Sequence, residues 1–430
     1  MLKKLMGFVL VLCMCLASAG AEEATLTQRV LAAFLAGEYT QVEAMCNDEV
    51  RAAVGAEQLK QAWEMQLTAL GSFVEVADSS VQNGADVLTL RHERGAQNLV
   101  VVWDDQGKIA GLMLQPAVLA DAPAPKVLPD GTEENEVVLF AETARQLSGK
   151  IVVPAGKDAP YVVFVHGSGP SDMNETIYAN QPFRDLAYDL AAQGIGSIRF
   201  DKVTYAHPEY PCETVVQEYL EPVQEAVRVL KETVDATKIY ILGHSQGGML
   251  MPWLMQECDA AGGIALAGTP CELWEISYQQ NLDIISLSPK VQQLVMVAVV
   301  EAERGRAEKL AEMSDAQAQE QTIFGINAYY LKHMAAIDQL AIARESGKPM
   351  LMLWGERDVQ VARSHHEAWQ TGLGDSELYT YITYPELNHL FVPAQEGERI
   401  DNIASCYAIP AQVDTRVAAD IAAWIKEAVQ

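Results

Sequence analysis

The sequence predicts an α/β chain, with a mostly parallel sheet covered on both faces by helices and a small α+β unit ahead of it. Three observations predict it. From YVVFVHG to LYTYITYP, short apolar runs that suit strands buried on both faces alternate with helical stretches. One of those runs, KIYILGHSQGG, stops abruptly in glycines around Ser245 and passes into the helical MLMPWLMQE. Between Thr25 and Gln115, in contrast, helices come first and strands follow, the order of an α+β unit. No self-similarity at solenoid periods competes with this reading.

Half of the 430 residues are hydrophobic, enough for one large core and a second, smaller one. The 30 basic and 58 acidic residues give a formal net charge of −28, which favours solubility and repels nucleic acid and anionic membranes. Residues 1–21 read as a cleaved signal peptide, with Lys3 and Lys4, an apolar core, and small residues at Ala17-Ser18-Ala19 or Ala19-Gly20-Ala21. A secreted or cell-surface protein is therefore expected, with no stable membrane insertion after cleavage. Cys13 and Cys15 have no small residue just before them, which argues against lipid attachment there. The remaining cysteines, Cys46, Cys212, Cys258, Cys271 and Cys406, are odd in number and scattered, so buried thiols are expected rather than a disulfide framework. No Cys or His spacing suggests a metal, and no cofactor is expected. His365 and His366 fall on different faces of a helix and are read as solvated.

The elements follow in order. Residues 25–116 form the small domain, with helices over TLTQRVLAAFLAGEY, from Tyr39 to Val54, and over EQLKQAWEMQLTAL. Strands then run over DVLTLRHERG, NLVVVWDD and KIAGLMLQPA, joined by turns at Gly95 and Asp105-Gln106-Gly107. His92, Asp104 and Asp105 are face or turn residues there. Residues 117–135, rich in Pro, Ala and acid, read as a linker. The large domain covers 136–430. It opens with a hairpin over EVVLFAETARQLSGKIVVP, then alternates YVVFVHG, a helix through PFRDLAYDLAAQG, GIGSIRFD, a helix over EYLEPVQEAVRVLKETV, KIYILG, GGIALAG, PMLMLWG and LYTYITYP. Residues from about 271 to 348 read as helical throughout, a lid above the strand ends or else an extension of the core.

Gly243 and Gly247 flank Ser245 where side chains would collide in a sharp strand-to-helix turn, a geometry that lifts the hydroxyl onto a helix N-terminus. A serine hydroxyl is a weak nucleophile without a base, and the base needs an acid to hold its tautomer. Asp358 follows the strand in LMLWGERD, and His389 follows the next strand in YITYPELNHLF. Serine, acid and histidine thus come in the order of doubly wound hydrolases. Glu356 is an alternative acid. His244 adjoins the serine but points away from it, and His166 reads as a structural loop residue. Backbone N–H groups of Gln246 and Ser168 are the expected oxyanion donors, with Gly167 and Gly169 allowing close approach of the loop.

HGSGPSDMNET, NQPFRDLAYDLAAQGIGSIRFDK, GHSQGG with Pro252 seven residues after the serine, ALAGTPCELWE and GERDVQV make residues 136–430 resemble the secreted bacterial α/β-hydrolase carboxylesterases of the serine hydrolase superfamily. Within them the likeness is to the group with a small extra N-terminal domain, and residues 25–116 are similar to an NTF2-like domain of unknown function. The resemblance implies an α/β-hydrolase fold, a Ser245–Asp358–His389 triad, and cleavage of a small-molecule carboxylic ester through an acyl-enzyme. The sequence departs from the family at FDKVTYAHPEYPCE, where relatives continue D-K-R-G, and at Met173-Asn174, where relatives often carry arginine and aspartate. Two other functions stay open. One is an aminopeptidase-like serine peptidase that holds the substrate amine with Glu175 or Glu213, and the other an inactive surface-binding protein. Three roles are open for the small domain: binding a wall component, shielding the lid, or joining copies into a homo-oligomer.

Overall fold

The computed structural model describes residues 25–92, 95–117, 119, 124–156, 158–178 and 180–428, and the leader read over 1–21 lies outside them. The chain divides between residues 120 and 121 into two compact units.

In the first unit, helices Leu26–Ala36, Tyr39–Met45, Asp48–Ala53 and Ala56–Leu70 precede four strands. These are β1 (Phe73–Gln82), β2 (Ala85–His92), β3 (Gly95–Trp103) and β4 (Ile109–Pro116), an antiparallel meander in sequence order. Thr25 and Gln28 cap the first helix reciprocally. The helix expected from Tyr39 to Val54 is two, because Cys46 turns out of the helical path to bridge Ile109 and Asn47 then caps a new start through Val50 N. The sequence reading did not include β1. Its FVEVADSSVQ is mostly exposed, has a neighbour on one side, and pairs with β2 through two register shifts, so no alternation betrays it. Leu88, Leu90, Leu99 and Val101 of the sheet pack on Phe34 and Trp63, whose rings stack 4.9 Å apart. His92 is buried in this core and held between Gly71 O at 3.0 Å and Gln97 Nε2 at 2.9 Å.

The second unit begins with a stretch laid along it. Lys126 forms an ion pair with Asp189 and donates to Val413 O at 2.9 Å, and Leu128 packs against the apolar core. Its strands are β5 (Glu133–Leu139), β6 (Leu147–Val153), β7 (Tyr161–Val165), β8 (Gly196–Phe200), β9 (Ile239–His244), β10 (Gly262–Leu266), β11 (Met350–Gly355) and β12 (Tyr379–Tyr384). Among the described residues they form one sheet in the order β12-β11-β10-β9-β7-β8-β6-β5. Only β6 runs against its neighbours, pairing antiparallel with β5 and β8. Every residue of β7, β8, β9, β10 and β11 is buried, which is why these strands read as continuous apolar runs without alternation. Helices Glu221–Val234 and Gln246–Glu257 cover one face, and Pro182–Ala192 and Thr415–Ala428 the other. Parallel pairing from β8 to β12 brings the C-terminal ends of these strands to one edge, where loops can converge.

The insertion after β10 is not helical throughout, as the sequence suggested. Helices Leu273–Ser286, Lys290–Ala307, Asp315–Gln319, Ala328–Ala335 and Gln339–Ser346 are interrupted by a two-residue ladder, Thr322–Ile323 against Ile326–Asn327. Its turn residues Phe324 and Gly325 both have positive φ, 50° and 78°, the backbone of a tight hairpin that no helix can contain. The described cysteines form no disulfide. No helix among the described residues is long and apolar enough to cross a membrane.

Candidate active site

Ser245 sits between β9 and the helix Gln246–Glu257 with φ 51° and ψ −115°, a backbone state that L-residues avoid. The flanking glycines make the turn possible. A Cβ on Gly243 would lie 2.1 Å from Gly247 O, and one on Gly247 would lie 2.4 Å from Val165 O. Backbone atoms cannot yield as side chains can, so these two positions admit only glycine. Ser245 N donates to Leu266 O at 2.8 Å, which ties the turn to β10.

Asp358 lies three residues beyond β11, and His389 lies in the turns that follow β12. His389 Nδ1 is 2.7 Å from Asp358 Oδ2, and both residues are buried. The other carboxylate oxygen accepts Gln360 N at 2.8 Å and Val361 N at 3.0 Å, so the acid is fixed before it meets the imidazole. Asn388 shapes the histidine's own loop, its Oδ1 accepting Leu390 N at 3.0 Å. His244, next to the serine, holds the histidine from behind: its Nε2 lies 2.9 Å from His389 O and the two rings are 4.7 Å apart. Among the described residues no hydrogen bond joins Ser245 to His389. Contacts of this kind often close only when substrate is bound.

On the other side of Ser245 runs the loop after β7. Gly167 N donates to Glu175 Oε1 at 2.8 Å, and the next N–H along the loop is that of Ser168. Gln246 is the first residue of its helix, where N–H groups lack an intrahelical acceptor and the helix dipole favours negative charge. Ser168, Ser245 and Gln246 line one cavity of about 450 Å³. Its far wall comes from the insertion, through Leu273, Ile276, Gln280, Ile326 and Tyr330.

The other sequence candidates lie apart from this chemistry. Glu356 and Glu213 are exposed. His166 is buried, with Nε2 2.9 Å from Asp172 O, and burial lowers its pKa to about 4, so it stays neutral at physiological pH. Glu175, weighed as an amine anchor, is buried against Gly167 N and His244 and does not line the cavity. His366, expected in solvent, is buried and stacked on Trp354 at 5.1 Å, because the helix Arg363–Leu373 turns that face onto β11. The sequence reading missed a buried polar cluster beside the cavity, made of Lys202, Glu218, Tyr219 and Tyr330. A lysine two residues after the strand GSIRF was its one visible signal.

A family model described as the alpha/beta hydrolase family matches residues 162–401. Esterase EstD from Thermotoga maritima is 32% identical over 388 residues, covering 89% of this chain and 90% of that protein. The chain belongs to the alpha/beta hydrolase family. Residues 28–112 match a second model, described as a protein of unknown function (DUF3887). Among solved structures, Est1E from Butyrivibrio proteoclasticus has a TM-score of 0.44 at 15% identity, covering 68% of this chain and 98% of that one. The Pyrococcus furiosus esterase Pf2001 has a TM-score of 0.43 at 14% identity, covering 71% and 99%. In this alpha/beta hydrolase the divergent stretch FDKVTYAHPEYPCE forms a short helix, Val203–Ala206, and contributes Thr204 and Cys212 to the cavity wall. Burial pushes the Cys212 thiol up to about 11, so it is no thiolate nucleophile. At the second departure, Asn174 accepts from Arg199 Nε at 2.9 Å, and this bond braces the loop after β7.

Proposed function

We propose that this carboxylic ester hydrolase works through an acyl-enzyme on Ser245, with His389 as general base and acid and Asp358 as the group that orients the imidazole. The observation that carries it is the fixed His389–Asp358 pair, at 2.7 Å, on the strand edge where a strained turn presents Ser245. Asp358 accepts a hydrogen bond from Nδ1–H, which leaves Nε2 as the basic nitrogen. Ser245 Oγ attacks the ester carbonyl as Nε2 takes its proton. The carbonyl oxygen becomes an oxyanion facing the N–H groups of Ser168 and Gln246. The tetrahedral species collapses, His389 protonates the departing alcohol, and water repeats the sequence to free the acid.

The apolar side chains of Leu273, Ile276 and Ile326 on the cavity wall favour an acyl group of moderate size. Sequence also supports export, through the leader-like residues 1–21. The experiment that tests the mechanism is hydrolysis of nitrophenyl esters, from acetate to decanoate, by wild type and Ser245→Ala side by side. Loss of turnover in the variant supports the acyl-enzyme, and unchanged turnover sinks it.

A further inference from the structure

Lys202 ends in one of the most crowded polar environments of the protein. Its Nζ lies 2.7 Å from Gly167 O, 3.0 Å from Gly169 O, 2.8 Å from Tyr219 OH and 2.7 Å from Glu218 Oε1. Lys202 and Tyr219 are each 2% exposed. Tyr219 OH in turn donates to Gly167 O at 2.9 Å. Burying an ammonium is costly unless it is paired and fully hydrogen-bonded, and here it is both. A packing role alone would be met by an apolar side chain of similar length, so the choice of a lysine asks for a reason.

The peptide bond supplies one. Gly167 C=O and Ser168 N–H belong to the same planar trans unit, in which oxygen and hydrogen point in opposite directions. Two donors on Gly167 O therefore fix the direction of Ser168 N–H, although neither touches it. Glu175 fixes the preceding N–H of Gly167, so the peptide planes on both sides of this residue are held. An ammonium on the carbonyl oxygen also polarises the amide and makes its N–H a stronger donor.

We propose that Lys202, with Tyr219, is a positioning residue for the oxyanion site: it aims and strengthens the Ser168 N–H by holding the carbonyl of the same peptide. Glu218 neutralises the ammonium and carries the arrangement to the insertion. Its Oε2 accepts Tyr330 OH at 2.6 Å, and Gln246 Nε2 donates to Tyr330 OH at 2.8 Å. The residues of both oxyanion donors thus meet one network, which includes a helix of the cavity's far wall. This inference rests on the proposed role of Ser168.

The test measures kcat and KM for a nitrophenyl ester in wild type, Lys202→Met, Lys202→Arg and Tyr219→Phe. It adds the ratio of kcat/KM for an ester to that for the matching thionoester, whose thiocarbonyl sulfur gains little from an oxyanion site. Removing one oxyanion donor outright costs roughly 100- to 1000-fold in turnover. Lys202→Met should lose about 10- to 100-fold in kcat, within that bound, with KM changed less than about threefold. Its ester-to-thionoester ratio should fall by a similar factor. Tyr219→Phe, which removes one hydroxyl, should move both quantities the same way by a smaller factor, and Lys202→Arg should recover part of the loss. Tyr219→Phe keeps the question decidable if Lys202→Met does not fold. An unchanged ester-to-thionoester ratio in the folded variants overturns the proposal, whatever happens to kcat. Loss of the ester preference with Ser245→Ala still inactive keeps the two readings separate, since that variant alone tests the nucleophile.

Discussion

His244 Nε2 lies 2.9 Å from His389 O, and its Nδ1 lies at ion-pair distance, 3.0 Å, from Glu175 Oε2 without hydrogen-bond geometry. A carboxylate at that distance favours the imidazolium over the neutral ring. Burial opposes the charge on His244, but Glu175 outweighs it and the pKa rises above 6.5. Burial likewise opposes the charge on Glu175, and His244 brings its pKa below 4.5.

The pair sets a stability window. The raised histidine contributes fully below pH 6.5 and loses its contribution as pH climbs through its folded pKa. The depressed glutamate contributes fully above pH 4.5 and loses its contribution as pH falls through its folded pKa. Glu175→Gln should therefore destabilise most between these limits, by about 3 kcal/mol where breaking a buried pair is the model. Its penalty should shrink at alkaline pH. Urea unfolding of both proteins at pH 5.5 and pH 9 reads this directly, and equal penalties would show that His244 does not change charge between them.

Asp358→Asn keeps the size of the side chain but can no longer select the tautomer of His389. Turnover of a nitrophenyl ester should fall on the order of 1000- to 10,000-fold, while circular dichroism stays that of wild type. A loss below about tenfold would move the acid's role to another carboxylate.

Gly247→Ala should fail through sterics alone. The new Cβ meets Val165 O at 2.4 Å and His166 O at 2.6 Å, both backbone atoms where β7 passes into the following loop. We expect a loss of at least about 1–3 kcal/mol, visible as a lower denaturation midpoint, together with lower kcat. A stable and fully active variant would contradict the close approach of these two segments.

Ile276→Trp fills part of the cavity from the insertion side. Decanoate and octanoate esters should lose more kcat/KM than acetate, because only the long chains need that volume. A uniform loss across chain lengths would mean that Ile276 does not meet the acyl group.

Much of the strand edge that carries the candidate site was legible because chemistry and local backbone coincide there. Ser245 and Asp358 each follow a strand buried on both faces, where an uninterrupted apolar run ending in polar residues marks the place plainly, and His389 follows the next strand, β12, whose residues are mostly half-buried. What escaped the sequence depends on partners far apart along the chain. Lys202, Glu218 and Tyr330 come from three segments, and nothing local distinguishes a lysine that will be buried from one that will meet water. His366 was misplaced for the same reason, since its neighbour across space is Trp354. β1 was missed because its ten residues are mostly exposed, so burial imposed no pattern on them.

The φ of 51° at Ser245 bears on how the molecule has been selected. A non-glycine residue in such a state costs roughly 1–3 kcal/mol, and the surrounding fold must bear that load at every moment, occupied or not. The scaffold could be made tougher by giving up its chemistry: Ser245→Gly should unfold at a higher denaturant concentration than wild type while doing nothing to esters. Robustness and reactivity are thus opposed at a single side chain.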